Sequence, residues 1–190
     1  MSTLDRLERF YARNREEWRD WLEKNHQSSP GIWFIYYKKG TNVSTVAYED
    51  AVGEALSFGW IDSKVNALDE ERYMQVFTPR KPGSTWSRIN KQRVEKLIKE
   101  GLMTTAGMQK IEVAKKDGSW SALDDVEDLL VPEDLKKEFG GNEKAEKYFH
   151  TFNDSSKKQI LWWIASAKRP ETRKRRIEKV VELAAENKTP

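Results

Sequence analysis

The most constraining feature of the sequence is an uninterrupted run of β-branched and aromatic residues, Ile32–Tyr37, which directly follows Pro30 and Gly31. Such residues are enriched in strands, and the Pro–Gly pair breaks the chain before them. Because no polar residue alternates with these side chains, the pattern predicts a strand that is covered on both faces. The chain therefore needs a sheet with other elements packed against it.

The aromatic content can supply the core that such a sheet requires. The 190 residues include eight Trp, six Tyr and seven Phe, and each buried aromatic ring removes a large apolar area from water. This length allows one domain or two small ones. The net charge of +3 is too small to indicate nucleic-acid binding, which would need a local cluster of basic residues.

Membrane-spanning and disulfide-stabilised classes are not expected. The chain has no cysteine, which excludes disulfides and thiolate metal sites. No apolar stretch approaches the roughly 20 residues that span a bilayer. The N-terminal segment Met1–Arg6 is followed by charged residues and lacks the apolar region of a signal peptide. The expected compartment is the cytoplasm.

Capping and turn signals divide the chain into elements. Two helices are expected at the start, the second with Asn14 as N-cap and Glu17 as the partner in an Asn-headed capping box. Beyond the first strand, the patterns predict a helix at 49–58 ended by Gly59, a hairpin with strands at 60–65 and 72–78, and helices at 87–100 and 105–116. The remainder is expected as an acidic linker or short helix at 117–131, followed by helical segments at 132–139, around 148–149, at 154–168 and at 170–185.

These elements predict an α+β fold. A small, mainly antiparallel sheet of about three strands is expected to be flanked by helices and followed by a helical C-terminal module. The acidic stretch marks a shift in composition, which places a domain boundary near residue 130. The predicted domains are therefore 1–130, which contains the sheet, and 131–190, which is helical.

Several short stretches, taken together and in order, resemble a known family. They are Phe58–Ser63, Phe77–Lys81, Ser84–Ser87 with Asn90, Trp163–Ile164 with Ala167–Arg169, and Glu171–Arg173 with Arg175–Ile177. They are similar to the YdeI/OmpD-associated (bacteriocin-protection) family over most of the chain, from about Trp18 to Leu183. The resemblance implies a C-terminal helical domain and a link to bacteriocin tolerance and an outer-membrane porin. No reaction and no catalytic residue set come with it.

Several common kinds of catalysis lack their usual sequence motifs. Only His26 and His150 are present, far apart and without partners at ligand spacing, so surface or capping histidines are expected rather than metal ligands. No nucleophile elbow, Walker-type loop or GxGxxG after a strand occurs, which argues against standard hydrolases, kinases and dehydrogenases. An oxygen-only Mg²⁺ or Ca²⁺ site at 124–134 would lack EF-hand spacing, so a solvated acidic face is favoured there. We predict no metal, no cofactor and no catalytic residue.

Asp62 is the first residue of a candidate polar site. In its predicted strand it shares a face with Trp60, so we expect its carboxylate to be partly buried. A buried carboxylate needs a partner. Arg80 and Arg88 are close enough in the chain to pair with it through two parallel hydrogen bonds.

Asn90 indicates the same region. It precedes Leu97 by two helical turns on the apolar arc, so its amide should face the core or a pocket and be hydrogen-bonded. Trp86 and Ser87 begin that helix, where free N–H groups can receive an anion. One hypothesis is a small anion pocket walled by two tryptophans, and the other is a structural network that pins the hairpin to the helix. The candidate ligand-binding residues are Trp60, Asp62, Arg80, Trp86, Ser87 and Asn90.

The last predicted helix begins with a cluster of basic residues. A stripe of this kind can neutralise phosphates, but a solvated face with the acidic segment 124–134 as internal partner is favoured. Arg173 lies on the apolar line of this helix and is expected to cap a carboxylate. Trp162 falls opposite the core stripe of the preceding helix, either as an exposed partner site or between two layers. The candidate surface for a protein partner or nucleic acid comprises Trp162, Arg169, Arg175 and Lys179.

The leading functional hypothesis is a non-enzymatic, cytoplasmic binding protein of the YdeI/OmpD-associated kind, linked to stress or bacteriocin tolerance. Its ligand would be a small anionic molecule or a protein partner. A second hypothesis is a nucleic-acid-associated protein that uses the basic surfaces at 80–99 and 168–179. A third is an enzyme built around Asp62, Arg80 and Asn90.

Overall fold

The run Ile32–Tyr37 forms a strand inside a four-stranded sheet, as predicted. The structure, a computed structural model, describes residues 3–189. The chain forms two compact units, one ending at Ser121 and the other beginning at Ala122. The first unit contains a 3₁₀ turn (Thr3–Arg6), β1 (Glu8–Tyr11), α1 (Arg15–Asn25), β2 (Ile32–Tyr37), α2 (Tyr48–Ser57), β3 (Trp60–Ala67), β4 (Arg72–Pro79), α3 (Arg88–Lys99) and α4 (Thr105–Asp117).

The sheet is mixed and mostly antiparallel, with the strand order β1-β2-β4-β3. β1 runs parallel to β2, whereas β4 pairs antiparallel with both β2 and β3. Ile32 and Asp62 both lie opposite Phe77, so side chains from three strands share one face of the sheet. A bulge interrupts the pairing of β3 with β4 between Asp62 and Val65. The α+β fold with a mainly antiparallel sheet is confirmed.

The start of the chain differs from the prediction of two helices. Glu8–Tyr11 forms the edge strand β1, and the 3₁₀ turn precedes it. Long-range packing decides this: the ring of Phe10 lies 5.7 Å from that of Trp18 and 5.9 Å from that of Phe34. The second helix is confirmed, since the Asn14 side chain accepts a hydrogen bond from the Glu17 N–H at 2.9 Å. The Glu17 carboxylate accepts from the Arg13 N–H at 2.8 Å, one residue before the N-cap.

The core of the first unit is centred on Trp18 of α1. Its ring is fully buried and meets Phe34 of β2 at 4.8 Å and Phe77 of β4 at 5.6 Å, both edge-on. The indole N–H donates to the carbonyl of Ala51 in α2 at 3.0 Å. Trp18 thereby joins two helices to the sheet.

α4 crosses the end of α2 at Gly107, which has no side chain. A Cβ atom at Gly107 would lie 2.9 Å from the Leu56 carbonyl oxygen and closer still to that of Ser57. The Thr104 hydroxyl donates to the Ser57 carbonyl at 2.7 Å and fixes the start of α4 there. Gly59 follows in the left-handed region, with φ 75°, and ends α2 as predicted.

The second unit is helical. Its elements are α5 (Asp124–Glu127), α6 (Glu133–Phe139), α7 (Glu143–Thr151), α8 (Asp154–Ala165) and α9 (Pro170–Ala185). The N-cap of α8 is Asn153, and this helix ends at Ala165, short of the predicted end at 168. The buried residues of the second unit include Leu135, Phe139, Phe149, Ile160, Ile164, Ile177 and Val180. None of the helices within residues 3–189 is long and apolar enough to cross a membrane.

The acidic segment meets the basic helix inside this second unit. The Arg173 guanidinium donates to both carboxylate oxygens of Asp134, at 2.6 and 2.9 Å, so Arg173 caps a carboxylate as predicted. The domain assignment to 1–130 and 131–190 stays a prediction, although the unit that begins at Ala122 takes in the acidic segment.

Replacing Asp134 by asparagine is expected to destabilise the second unit only modestly, by roughly 1 kcal/mol or less, because the Asp134–Arg173 pair is partly exposed to solvent. Hydrogen bonds from Arg173 hold the pKa of Asp134 below its usual range. The stabilisation is therefore complete above the unfolded pKa of about 3.9 and is lost as the pH falls through the lower folded pKa. Urea denaturation of the wild type and the Asp134→Asn variant, at neutral and at strongly acidic pH, measures this loss of stability. Glu133→Gln is the control at an exposed position. If the two proteins still differ in stability in strong acid, the ionised Asp134 carboxylate is not the source of the stabilisation.

Candidate functional site

Arg80 stands directly after β4 and is held there by the backbone. Its N–H donates to the carbonyl of Gly59 at 2.9 Å, which ties the end of β4 to the junction between α2 and β3. The side chain is buried, with 4% exposure. One terminal nitrogen donates to the Thr85 carbonyl at 3.1 Å, and the guanidinium lies 3.6 Å from the centre of the Trp86 ring. A cation over the face of a tryptophan is a favourable arrangement.

Among the described residues, no carboxylate contacts the guanidinium of Arg80. Burial lowers the pKa of Arg80 to about 10, since the charged form loses its hydration, and the charge of Asp62 opposes this only in part. Within residues 3–189, the Arg80 Nε has no hydrogen-bond partner. Buried polar groups are normally paired, so an orphaned atom on a buried cation needs an explanation.

A cavity of about 50 Å³ is lined in part by Arg80. Lys110 of α4, Trp86 and Ser119 line it together with Arg80, and we call this arrangement the Arg80 pocket. Lys81 and Asp117 also lie on its wall, so three basic groups face a single carboxylate. The pocket is therefore electropositive.

Asp117 closes one side of the Arg80 pocket through backbone hydrogen bonds. Its carboxylate accepts from the N–H groups of Gly83 and Ser119, both at 2.9 Å. The Ser119 hydroxyl, which lies beside the carboxylate, and these two N–H groups hold the pKa of Asp117 below its usual range. That hydroxyl is buried and is not aligned for a hydrogen bond within the described part of the chain. A bound ligand would therefore compete with the Asp117 carboxylate for this hydroxyl.

Asp62 lies in a different group of polar residues. One carboxylate oxygen, Oδ2, accepts from the Gln75 amide at 2.7 Å and from the Tyr48 hydroxyl at 3.1 Å. The expected bidentate pairing with Arg80 or Arg88 is replaced by these two neutral donors. The effect of Asp62 on Arg80 is through its charge alone, without a hydrogen bond.

Ser87 and Asn90 form a third group at the start of α3. The Ser87 hydroxyl accepts from the Asn90 N–H at 3.3 Å and caps the helix. The buried Asn90 side chain accepts from Arg93 at 2.8 Å, as its position on the apolar arc predicted a hydrogen bond. Arg93 also binds the Glu49 carboxylate at 2.8 Å, so this group joins α3 to α2.

Trp60 is part of the core rather than of the cavity wall. Its indole N–H donates to the His26 carbonyl at 3.1 Å, and its ring meets Trp21 edge-on at 5.7 Å. Of the six residues proposed from the sequence, the structure brings Arg80 and Trp86 to one cavity. It places Trp60, Asp62, Ser87 and Asn90 in other contacts.

Sequence reasoning missed several polar residues of these groups. Lys110 in the middle of α4, Asp117 at its end and Ser119 just after it line the Arg80 pocket, and only the tertiary fold brings them close to Arg80. Gln75 had a signal, because in β4 it alternates with Tyr73 and Phe77 on the inward face. A polar residue in such a position needs an internal partner.

The surface of the second unit offers a groove beside α9. Trp163, Arg175, Arg176 and Lys179 line a concavity of about 560 Å³. Trp162 is exposed, as are Arg169, Arg175 and Lys179, while Lys179 pairs with Glu182 at 2.9 Å. The assignment of these four exposed residues to a protein or nucleic-acid partner stays a prediction.

Comparison with known families covers both units. A family described as "Domain of unknown function (DUF8412)" matches residues 10–110, and one described as "Bacteriocin-protection, YdeI or OmpD-Associated" matches residues 128–187. The second match confirms the resemblance carried by the tail, whereas the stretches at 58–63, 77–81 and 84–90 fall within the first match. No curated protein and no solved structure matches the chain. The chain therefore belongs to the DUF8412 family through its N-terminal half, and its C-terminal unit is a YdeI/OmpD-associated domain.

Proposed function

We propose that the first unit is a binding module for a small anion, with the Arg80 pocket as its site. The observation that carries the proposal is a buried arginine at the wall of a cavity, which is stacked on Trp86 and contacted by no carboxylate from residues 3–189. An anion there would supply the missing counterion and offset the desolvation of the guanidinium.

The size and charge of the pocket select the ligand. A cavity of about 50 Å³ accommodates one compact group, such as a carboxylate or a tetrahedral oxyanion. Lys81 and Lys110 add positive charge, and the Ser119 hydroxyl can donate to an anionic oxygen. Asp117 opposes an anion, but its carboxylate is already bound by two backbone N–H groups.

A binding role is favoured over catalysis by the separation of the candidate residues. The lining of the cavity at Arg80 does not include Asp62 or Asn90. The Asp62 carboxylate is held by Tyr48 and Gln75, and the Asn90 amide by Arg93. The three residues of the enzyme hypothesis thus do not converge on one reacting centre.

We place this binding role in the cytoplasm and link it to bacteriocin or stress tolerance. The support for the link to bacteriocin tolerance is the description of the family that matches residues 128–187.

Phosphate, sulfate or acetate is expected to raise the unfolding temperature of the wild-type protein relative to chloride at equal ionic strength, by about 3 °C for each kcal/mol of binding free energy. Arg80→Met should abolish the increase, because it removes the cation and keeps a side chain that fills the space. Thermal unfolding followed by circular dichroism measures this.

The matched control is Arg9→Met, the same substitution at an exposed position of β1, which should leave the anion effect intact. If an anion stabilises the Arg80→Met variant as much as the wild type, the Arg80 pocket is not the site. Isothermal titration with the same anions distinguishes loss of binding from loss of folded protein.

A further inference from the structure

A second polar cluster lies on the inward face of the sheet and is distinct from the Arg80 pocket. It consists of Tyr36 from β2, Asp62 from β3 and Gln75 from β4, with Tyr48 at the start of α2, and we call it the Asp62 cluster. Gln75 lies opposite Phe34 and Tyr36 opposite Tyr73, so both side chains share the face of the core. This cluster has no role in the anion binding proposed above.

The Asp62 cluster presents more acceptor atoms than donors. Tyr48 and Gln75 both donate to Asp62 Oδ2, and among the described residues no donor reaches the other oxygen, Oδ1. The Gln75 Oε1 atom is buried and lacks a hydrogen-bond partner within residues 3–189. The contact of Nε2 with the carboxylate fixes the orientation of this amide, since the flipped form would set two oxygens against each other.

The Tyr36 hydroxyl is a third unpartnered atom of the cluster. Tyr36 is 1% exposed and Gln75 is 4% exposed, and the hydroxyl of Tyr36 has no partner anywhere in the described chain. Burial, followed by the charges of Tyr73 and Asp62, raises the pKa of this hydroxyl, which keeps it neutral. Buried polar atoms of this kind are nearly always paired in folded proteins.

In the part of the chain that the structure describes, no cationic side chain contacts the Asp62 carboxylate. Arg93 lies over the Tyr48 ring, 5.8 Å from its centre, but is bound to Glu49. Arg80 is influenced by Asp62 through its charge and is stacked on Trp86. Asp62 is half-buried and Tyr48 is 40% exposed, so the cluster extends from the core to the protein surface on this side.

We infer that the Asp62 cluster is a binding site for a primary ammonium group. Such a group carries three N–H donors and a positive charge. The cluster offers three acceptors for these three donors: Asp62 Oδ1, Gln75 Oε1 and the Tyr36 oxygen. The Asp62 carboxylate also neutralises the positive charge of the ammonium group. A quaternary ammonium has no N–H group and cannot make these hydrogen bonds, so the site discriminates between the two.

The test uses the full chain and methylammonium chloride as the probe, with sodium chloride and tetramethylammonium chloride at the same ionic strength. Methylammonium is expected to raise the unfolding temperature by several degrees relative to both other salts. Asp62→Asn should abolish this increase. Tyr36→Phe, which removes only the oxygen, should weaken methylammonium binding about tenfold, the range of one hydrogen bond to a charged group.

Asp20→Asn is the matched control, because it makes the same charge change at an exposed position of α1 and should keep the full response. Equal unfolding temperatures in methylammonium and sodium would overturn the inference and indicate a site for ordered water or a simple metal cation. An equal response to tetramethylammonium, or a response that survives Asp62→Asn, would also overturn it. The anion test at Arg80 is separate, so either proposal can fail without the other.

Discussion

Replacing Trp18 by alanine is expected to lower the free energy of unfolding of the first unit by about 3–5 kcal/mol. The ring is fully buried between α1, α2 and the sheet, and four aromatic rings pack against it, those of Phe10, Trp21, Phe34 and Phe77. Truncation leaves a cavity that these rings cannot fill, and it leaves the Ala51 carbonyl without its donor. A loss of this size is a large part of the stability of an ordinary domain.

The same substitution at Trp162 is the control. This ring is 38% exposed, so Trp162→Ala should change the free energy of unfolding by about 0.5 kcal/mol or less. Urea denaturation followed by far-UV circular dichroism compares the variants. Equal losses at both positions would mean that Trp18 does not organise the core as its contacts indicate.

Two glycine-to-alanine substitutions in helices are expected to have opposite effects. Gly107→Ala should destabilise the first unit by about 2 kcal/mol or more, because the new methyl group meets backbone carbonyl oxygens of Leu56 and Ser57, which cannot rotate away. Gly53→Ala should stabilise it by up to about 1 kcal/mol, since alanine favours the helix. The nearest atom to its new methyl group, in Leu97, lies at 4.0 Å, an ordinary contact distance.

The test is whether each substitution raises or lowers the free energy of unfolding, and each variant is the control for the other. Both substitutions add one methyl group to a buried helical position, so a difference in intrinsic helix propensity does not explain opposite results. Chemical denaturation of the two variants and the wild type gives both values. Stabilisation by Gly107→Ala would mean that α4 can move away from α2 without loss.

Local signals predicted the parts of the fold that local interactions decide. Asn14 caps α1, Gly59 ends α2, and α9 spans 170–185, all at the positions that short-range capping and periodicity indicate. β1 was missed because its four residues carry little pattern of their own and become a strand by pairing with β2. A capping residue marks the end of a helix in the sequence, but no single residue marks the pairing of strands from distant segments.

The candidate site was predictable to the extent that its residues are close in sequence. Arg80 and Trp86 are six positions apart on one loop, and the structure brings them into contact. The partners of Asp62 depend on the register of β3 with β4 and on the position of α2, and the further lining of the Arg80 pocket depends on α4. Both arrangements arise from tertiary packing, which a single sequence without its fold does not reveal.

The bulge in β3 also affects how the protein behaves toward other copies of itself. β3 is an edge strand, with main-chain groups available to a strand from a second molecule. The bulge between Asp62 and Val65 breaks the regular spacing of those groups, and Lys64 at this point would bring a charge into any new sheet. The opposite edge, β1, has only four residues. Both edges therefore oppose strand-to-strand aggregation in a chain with an unusually aromatic sheet.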